Sequence, residues 1–174
     1  MFYIYFNDPT FVKDVTSISG LKEDTTPITV ADISPAICRG VFTQDHIFHT
    51  SETAHFYVYK KTDGIITHYM SVMVYYPMME IEHVCVTDEH RGEGKLLLDK
   101  LKELAKLFGP PVTLYGLATT PGSAKLYERN GFTSNTYLIA EGKRRRKKKT
   151  KRKSKKSKSK KNKRKQEKFI FVVK

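Results

Sequence analysis

Cysteine is scarce in this sequence: Cys38 and Cys85 are the two among 174 residues. They form no CxxC pair and stand at no ligand-like spacing from the histidines, so neither a disulfide framework nor a zinc site is implied. Long apolar runs are missing too, and nothing approaches the ~20 residues needed to cross a bilayer. The opening MFYIYF is too short for a signal-peptide core, has no basic flank, and runs straight into Asn7, Asp8 and Pro9. The expectation is a soluble intracellular chain with no membrane partner.

Acidic residues are nearly absent from one stretch. Residues 143–168 hold 19 Lys and Arg against the single acid Glu167, whereas the remaining 148 residues hold 13 basic and 17 acidic groups, a net of −4. The formal charge of +14 is therefore local, and the body is mildly acidic. A run of this composition has no apolar content with which to fold. Beyond it lies FIFVV (Phe169–Val173), as strand-like as anything in the chain and hazardous if left dangling. It is expected to pair with TYLIA (Thr136–Ala140) as a closing hairpin. The expected domain is thus 1–142 plus 169–174, interrupted by a basic, unstructured insertion at 143–168.

Periodicity supplies the rest of the architecture. Phe2–Phe6 reads as a short strand, and the stretch between Pro9 and Pro35 has no assignable pattern. His55–Tyr59 and Ile65–Tyr76 are rich in β-branched and aromatic residues and flank Thr62-Asp63-Gly64, a hairpin signal. Pro77 separates a third strand, Glu80–Thr87, which completes an antiparallel meander. Leu97, Leu101, Leu104 and Phe108 recur at helical spacing until Gly109-Pro110-Pro111 stops the helix. Strand Val112–Leu117 follows, and then a second helix capped by Thr120, opened by Pro121 and ended at Gly131. A strand-helix-strand succession implies a right-handed crossover and a parallel pair. The fold class expected is a mixed α/β sheet with helices on its faces.

The chemistry starts at VCVTDEHRGEGK (Val84–Lys95). A strand enters a glycine-containing turn and a helix starts near Lys95, leaving unpaired amides that suit an anion. Gly92 and Gly94 admit close approach of a phosphate, and Arg91 and Lys95 add positive charge. Two nucleotide motifs are excluded. A P-loop needs glycine where Glu89 stands and Ser or Thr where Leu96 stands, and a dinucleotide fingerprint needs a small residue in place of Leu97.

The segment resembles the acyl-CoA signature of the GNAT acetyltransferase superfamily, Arg or Gln, two residues, Gly, one residue, then Gly or Ala. Arg91, Gly94 and Leu96 occupy its three positions, and Leu96 departs from the pattern. LYERNGF (Leu126–Phe132), preceded by Ala124, resembles the family's helix-ending motif, while Pro121 stands where members often carry a cofactor-contacting Asn. The resemblance runs over Thr53–Phe132 and implies acetyl-CoA as co-substrate, with no metal. It implies further that backbone groups of Val84, Cys85 and Val86 hold the thioester in a splay between two strands, and that the amides across Arg91, Gly92, Glu93, Gly94, Lys95 and Leu96 hold the pyrophosphate.

Direct attack by an amine needs a proton acceptor, since a lysine-like pKa of about 10.4 lies roughly 3.4 units above neutrality, or about 4–5 kcal/mol. Glu80 and Glu82 share one strand face by their spacing, and Glu80 matches the base position of the histone acetyltransferase branch. Tyr127 is the candidate acid for the departing thiolate. Cys85 reads as a small buried hydrophobe, His83 and His90 as polar surface, and His83 faces away from Glu82 by alternation. The function expected is acetyl transfer to a primary amine, cationic by complementarity with the acidic body. The alternative is a degenerate body serving a nucleic-acid or polyanion-binding protein through the basic run, which would equally serve nuclear targeting or contact with DNA or RNA.

Overall fold

The computed structural model describes residues 1–134 and 167–174. The strand expected at Thr136–Ala140 and nearly all of the basic run, with its expected lack of structure and its nucleic-acid contact, lie outside these residues. The described elements are β1 (Phe2–Phe6), β2 (Leu21–Glu23), α1 (Gln44–Thr53), β3 (Phe56–Thr62), β4 (Ile65–Tyr75), β5 (Met78–Val86), α2 (Gly94–Leu107), β6 (Val112–Ala118), α3 (Pro121–Arg129), β7 (Thr133–Ser134) and β8 (Glu167–Val173). One eight-stranded sheet takes all the strands in the order β2-β1-β3-β4-β5-β6-β8-β7. β1–β2 and β5–β6 are parallel and the other neighbours antiparallel.

The meander follows from local chemistry. Asp63 and Gly64 both adopt positive φ, 51° and 82°, as a two-residue hairpin between β3 and β4 demands. Alternation then divides the strands between two cores. Phe56, Val58, Met70, Val72, Met79 and Ile81 face Leu97, Leu98, Leu101 and Leu104 of α2. Tyr57, Tyr59, Ile66, Tyr69 and Cys85 face Ile28, Ile33, Ile37 and Ile47 on the opposite side. Each fully buried leucine of α2 contributes about 1.5–3 kcal/mol, so this amphipathic helix anchors the first core.

Two elements escaped the sequence pattern. α1 has the composition QDHIFHTSET and buries Ile47, Thr50 and Ser51, too few apolar positions to show a period. Its start is fixed instead by Thr43, whose hydroxyl accepts from the His46 amide at 3.1 Å. The very short β2 lies in the stretch that gave no assignment. The two cysteines are also a correction: Cys38 and Cys85 are joined as a disulfide with Cα atoms 4.8 Å apart. They stand 47 residues apart in sequence, and spacing rules address only local pairs.

The C-terminal strand is in the sheet, as its composition required. β8 matches β6 from Val112↔Val173 to Ala118↔Glu167, and β7 flanks its other edge at Thr133↔Ile170 and Ser134↔Phe169. Phe169 is wholly buried and stacks on Tyr127 of α3 with ring centroids 5.4 Å apart. Tyr127 lies on Gly116 of β6, where an added Cβ would stand 2.5 Å from its Cζ and 2.6 Å from its hydroxyl. We expect Gly116→Ala to lower the unfolding free energy by about 1–3 kcal/mol in urea titration, through overpacking against Tyr127.

Candidate active site

β5 and β6 are matched at four positions, Met78↔Thr113 to Ile81↔Gly116, and no further. β5 continues to Val86 with β4 on its other side, so the edge from Glu82 to Val86 faces no described strand. The register against β4 slips at the same place: Val72 opposes Ile81 while Ser71 opposes His83, leaving Glu82 as the extra residue of a β-bulge. The splay implied by the family resemblance is therefore present, lined on one side by the backbone of Val84, Cys85 and Val86.

A short 3-10 turn, Asp88–His90, links β5 to the loop before α2. The amides of Arg91, Glu93 and Leu96 donate to the carbonyls of Asp88, His90 and Glu93 at 3.1, 3.0 and 2.8 Å. Among the described residues no hydrogen bond occupies the amides of Gly92, Gly94 or Lys95, which stand at the positive end of the 14-residue helix α2. Gly92 has φ 98°, a conformation that favours glycine. Gly94 packs under α3, where an added Cβ would lie 3.3 Å from Leu126 Cδ2. Leu96 is 39% exposed, so its bulk takes no room from the amides. At the end of β5, Thr87 Oγ1 is buried with no partner among the described residues, beside Thr67 and Ile65 of β4 and Ser34.

The loop is braced by a cluster that sequence spacing did not reveal. His68 Nε2 and His90 Nδ1 meet the two carboxylate oxygens of Glu93 at 3.0 and 3.1 Å, and Lys60 Nζ lies 3.7 Å from Glu93. The His90 hydrogen bond chiefly, with His68 behind it, holds the Glu93 carboxyl below its usual range. Burial holds His68 below its usual range against the pull of Glu93. The three donor atoms lie within 4.8 Å of one another and include the imidazole and carboxylate groups that bind divalent ions. Their mutual hydrogen bonds already satisfy them.

On the opposite sheet face the bulge corrects the expectation for His83. With Glu82 inserted, strict alternation fails and His83 turns to the same side as Glu80 and Cys85. Its Nδ1 lies 3.2 Å from Ser71 Oγ and its Nε2 3.2 Å from His46 Nε2, and Phe42 packs on both rings. Burial first, and His46 second, push the His83 imidazole down to about 4. Glu82 keeps solvent access, and its carboxyl is still raised by partial desolvation and by Glu80 beside it. Tyr127, 3% exposed, presents its hydroxyl at Gly116, the last matched position of the splay, and burial keeps the phenol protonated well above its usual range.

Residues 52–134 match the sequence model of the acetyltransferase (GNAT) domain. The chain carries a GNAT acetyltransferase domain. Solved structures agree on the fold. Ard1 from Thermoplasma volcanium aligns at TM-score 0.57 and 14% identity over 85% of this chain and 95% of that one. The ribosomal-protein-S18-alanine N-acetyltransferase of Escherichia coli aligns at 0.55 and 14% identity over 86% and 90%. N-acetylglutamate synthase from Neisseria gonorrhoeae, solved with coenzyme A and N-acetyl-glutamate, aligns at 0.50 and 14% identity over 76% of this chain, which spans 28% of that protein's length. No match was found among curated proteins.

Within this GNAT domain the buried imidazole of His83 makes stability depend on pH. Its folded pKa, about 4, lies below the unfolded value near 6.5, so the unfolded chain binds more protons between these limits. Stability should fall as pH drops from about 6.5 to about 4. Thermal melts of His83→Gln across that range should show a shallower decline than wild type, and an unchanged slope would mean that His83 titrates normally.

Proposed function

We propose that the protein transfers an acetyl group from acetyl-CoA to a primary amine. The observation that carries this reading is the splay of β5 from β6 opening beside three uncommitted amides at the start of α2. Gly92, Gly94 and Lys95 would hold the pyrophosphate, with Arg91 adding charge, and the backbone of Val84, Cys85 and Val86 would line the thioester's seat. When bound, acetyl-CoA would supply the activated acyl carbon.

The protein's own groups then manage two protons. On the acceptor side, Glu82, Glu80 and His83 share one face, and a cationic amine entering there would meet two carboxylates before giving up its proton. Glu82 has a raised carboxyl and is a better proton acceptor than an ordinary surface glutamate. His83, kept neutral at pH 7 by its burial, has both ring nitrogens engaged by Ser71 and His46 and would shape this face rather than take the proton. Glu80, expected first from its position, acts through Glu82 by raising it. On the other side of the sheet Tyr127 stays protonated and can donate to a departing thiolate.

Calorimetry should show CoA binding to the wild type, and Gly94→Glu should abolish it by placing a carboxylate at the amides and crowding Leu126. Wild type that binds no CoA would end the enzyme reading. In steady-state assays with acetyl-CoA and a lysine-rich peptide, Tyr127→Phe should lower kcat by about 10²-fold with CoA affinity nearly unchanged. Equal turnover would return Tyr127 to a packing role. Glu82→Gln should lower kcat/KM by a similar factor and remove the fall in rate on acidification through the raised Glu82 titration.

A further inference from the structure

Beside the loop that precedes α2, three metal-binding side chains converge from separate parts of the chain. His68 comes from β4, His90 from the 3-10 turn and Glu93 from the N-cap of α2. Each Glu93 oxygen takes one imidazole: His68 Nε2 lies 3.0 Å from Oε2, and His90 Nδ1 lies 3.1 Å from Oε1. One donor atom from each residue lies within 4.8 Å of the other two. Donors held by a tetrahedral zinc ion, at about 2.0–2.1 Å from the metal, stand roughly 3.3–3.5 Å apart. Closing on such an ion takes a shift of about 1 Å, which His90 on its turn and the half-exposed Glu93 can supply.

The third donor is fixed from behind. His68 is wholly buried and cannot swing away. Thr67 is the extra residue of a bulge in β4, where Lys60 opposes His68 and Lys61 opposes Ile66, and its Oγ1 lies 3.0 Å from His68 Nδ1. A hydroxyl at the far nitrogen is what a metal-binding imidazole needs, because it can accept from Nδ1–H and leave the Nε2 lone pair to the ion. Without an ion the hydroxyl can donate instead while Nε2–H bonds to Glu93, so the hydrogen bonds within the cluster hold the donors in place.

We propose that His68, His90 and Glu93 form a site for a divalent ion of the zinc class, which clamps β4, the turn and the start of α2 together, with water in the fourth position. Two imidazoles favour zinc and its transition-metal neighbours over magnesium and calcium, which take oxygen donors. One charge opposes the ion: Lys60 Nζ stands 3.7 Å from Glu93 and competes for the same carboxylate. The site needs neither CoA nor an acceptor amine, so it stands apart from the acetyltransferase activity.

Titration of the full-length protein with zinc or cobalt(II) against a chromogenic chelator tests this. Uptake should reach one ion per chain at this site, and the cobalt form should show the visible absorption of a four-coordinate ion. His90→Gln, a change on the turn, should weaken uptake by more than about 10-fold, and Thr67→Val by about 10-fold through loss of the Nδ1 partner. Lys60→Gln should tighten it, which a cluster held only by hydrogen bonds would not do. His46→Gln, on the opposite sheet face, should leave it unchanged. Absence of uptake, uptake unaltered by His90→Gln, or equal competition from magnesium would overturn the proposal. Should His90→Gln fail to fold in thermal melts, Lys60→Gln decides: tighter uptake supports the site and unchanged uptake overturns it.

Discussion

A backbone that stops pairing has to find other partners, and the parting of β5 from β6 after Ile81 and Gly116 is where this chain meets that requirement. The edge of β5 from Glu82 onward keeps β4 on one side and faces no described strand on the other. The bulge at Glu82 makes this tolerable by bending the strand where the ladder ends, so the parting costs no broken register beyond one residue. The loop amides of Gly92, Gly94 and Lys95 follow at the same end of β5. Gly116 closes the inner end of the gap, because only a residue without a side chain lets the Tyr127 ring lie on β6 there.

The sheet also keeps two groups of polar side chains apart. α2, α3, the loop before α2 and the His68–Glu93–His90 brace lie on the side of one core, while Glu80, His83, His46 and the Cys38–Cys85 link lie on the side of the other. On the proposed reading, a donor seated from the first side and an acceptor entering from the second would meet through the gap between β5 and β6. Burial favours the neutral form on both sides, lowering His68 and His83 and raising Tyr69 and Tyr127. On the proposed reading, Glu82 would face the acceptor and the protonated Tyr127 phenol the leaving group.

Much of this was legible where a residue type enforces a conformation. Asp63-Gly64 fixed the hairpin, Thr120-Pro121 opened α3 and Gly131 closed it, and the leucine period of α2 gave the first core. The anion loop was legible because glycines and a following helix start need no long-range information. What escaped depends on tertiary context. α1 is held by a cap and one isoleucine. Cys38 reaches Cys85 only once the segment before α1 folds over β5. His83 was assigned to the wrong face because a bulge adds one residue to the count, and a one-residue slip inverts every side chain beyond it. His68, His90 and Glu93 come from a strand, a turn and a helix cap, which no linear spacing rule would join.

The length of chain between β7 and β8 bears on stability. Closing a connection of 32 residues instead of one of four costs on the order of 2 kcal/mol in loop entropy. Phe169 and Val173, both buried in β8, return roughly 1.5–3 kcal/mol each, before the ladder bonds with β6 are counted. The sheet can therefore hold β8 at the far end of a long charged connection without losing the fold. It also has reason to, since Phe169 stacks on Tyr127 and completes the wall that presses the phenol onto Gly116. A chain cut short before β8 would lose that wall and, with it, the position of the hydroxyl at the mouth of the splay. β8 is thus a structural part of the candidate site, through Phe169 behind Tyr127.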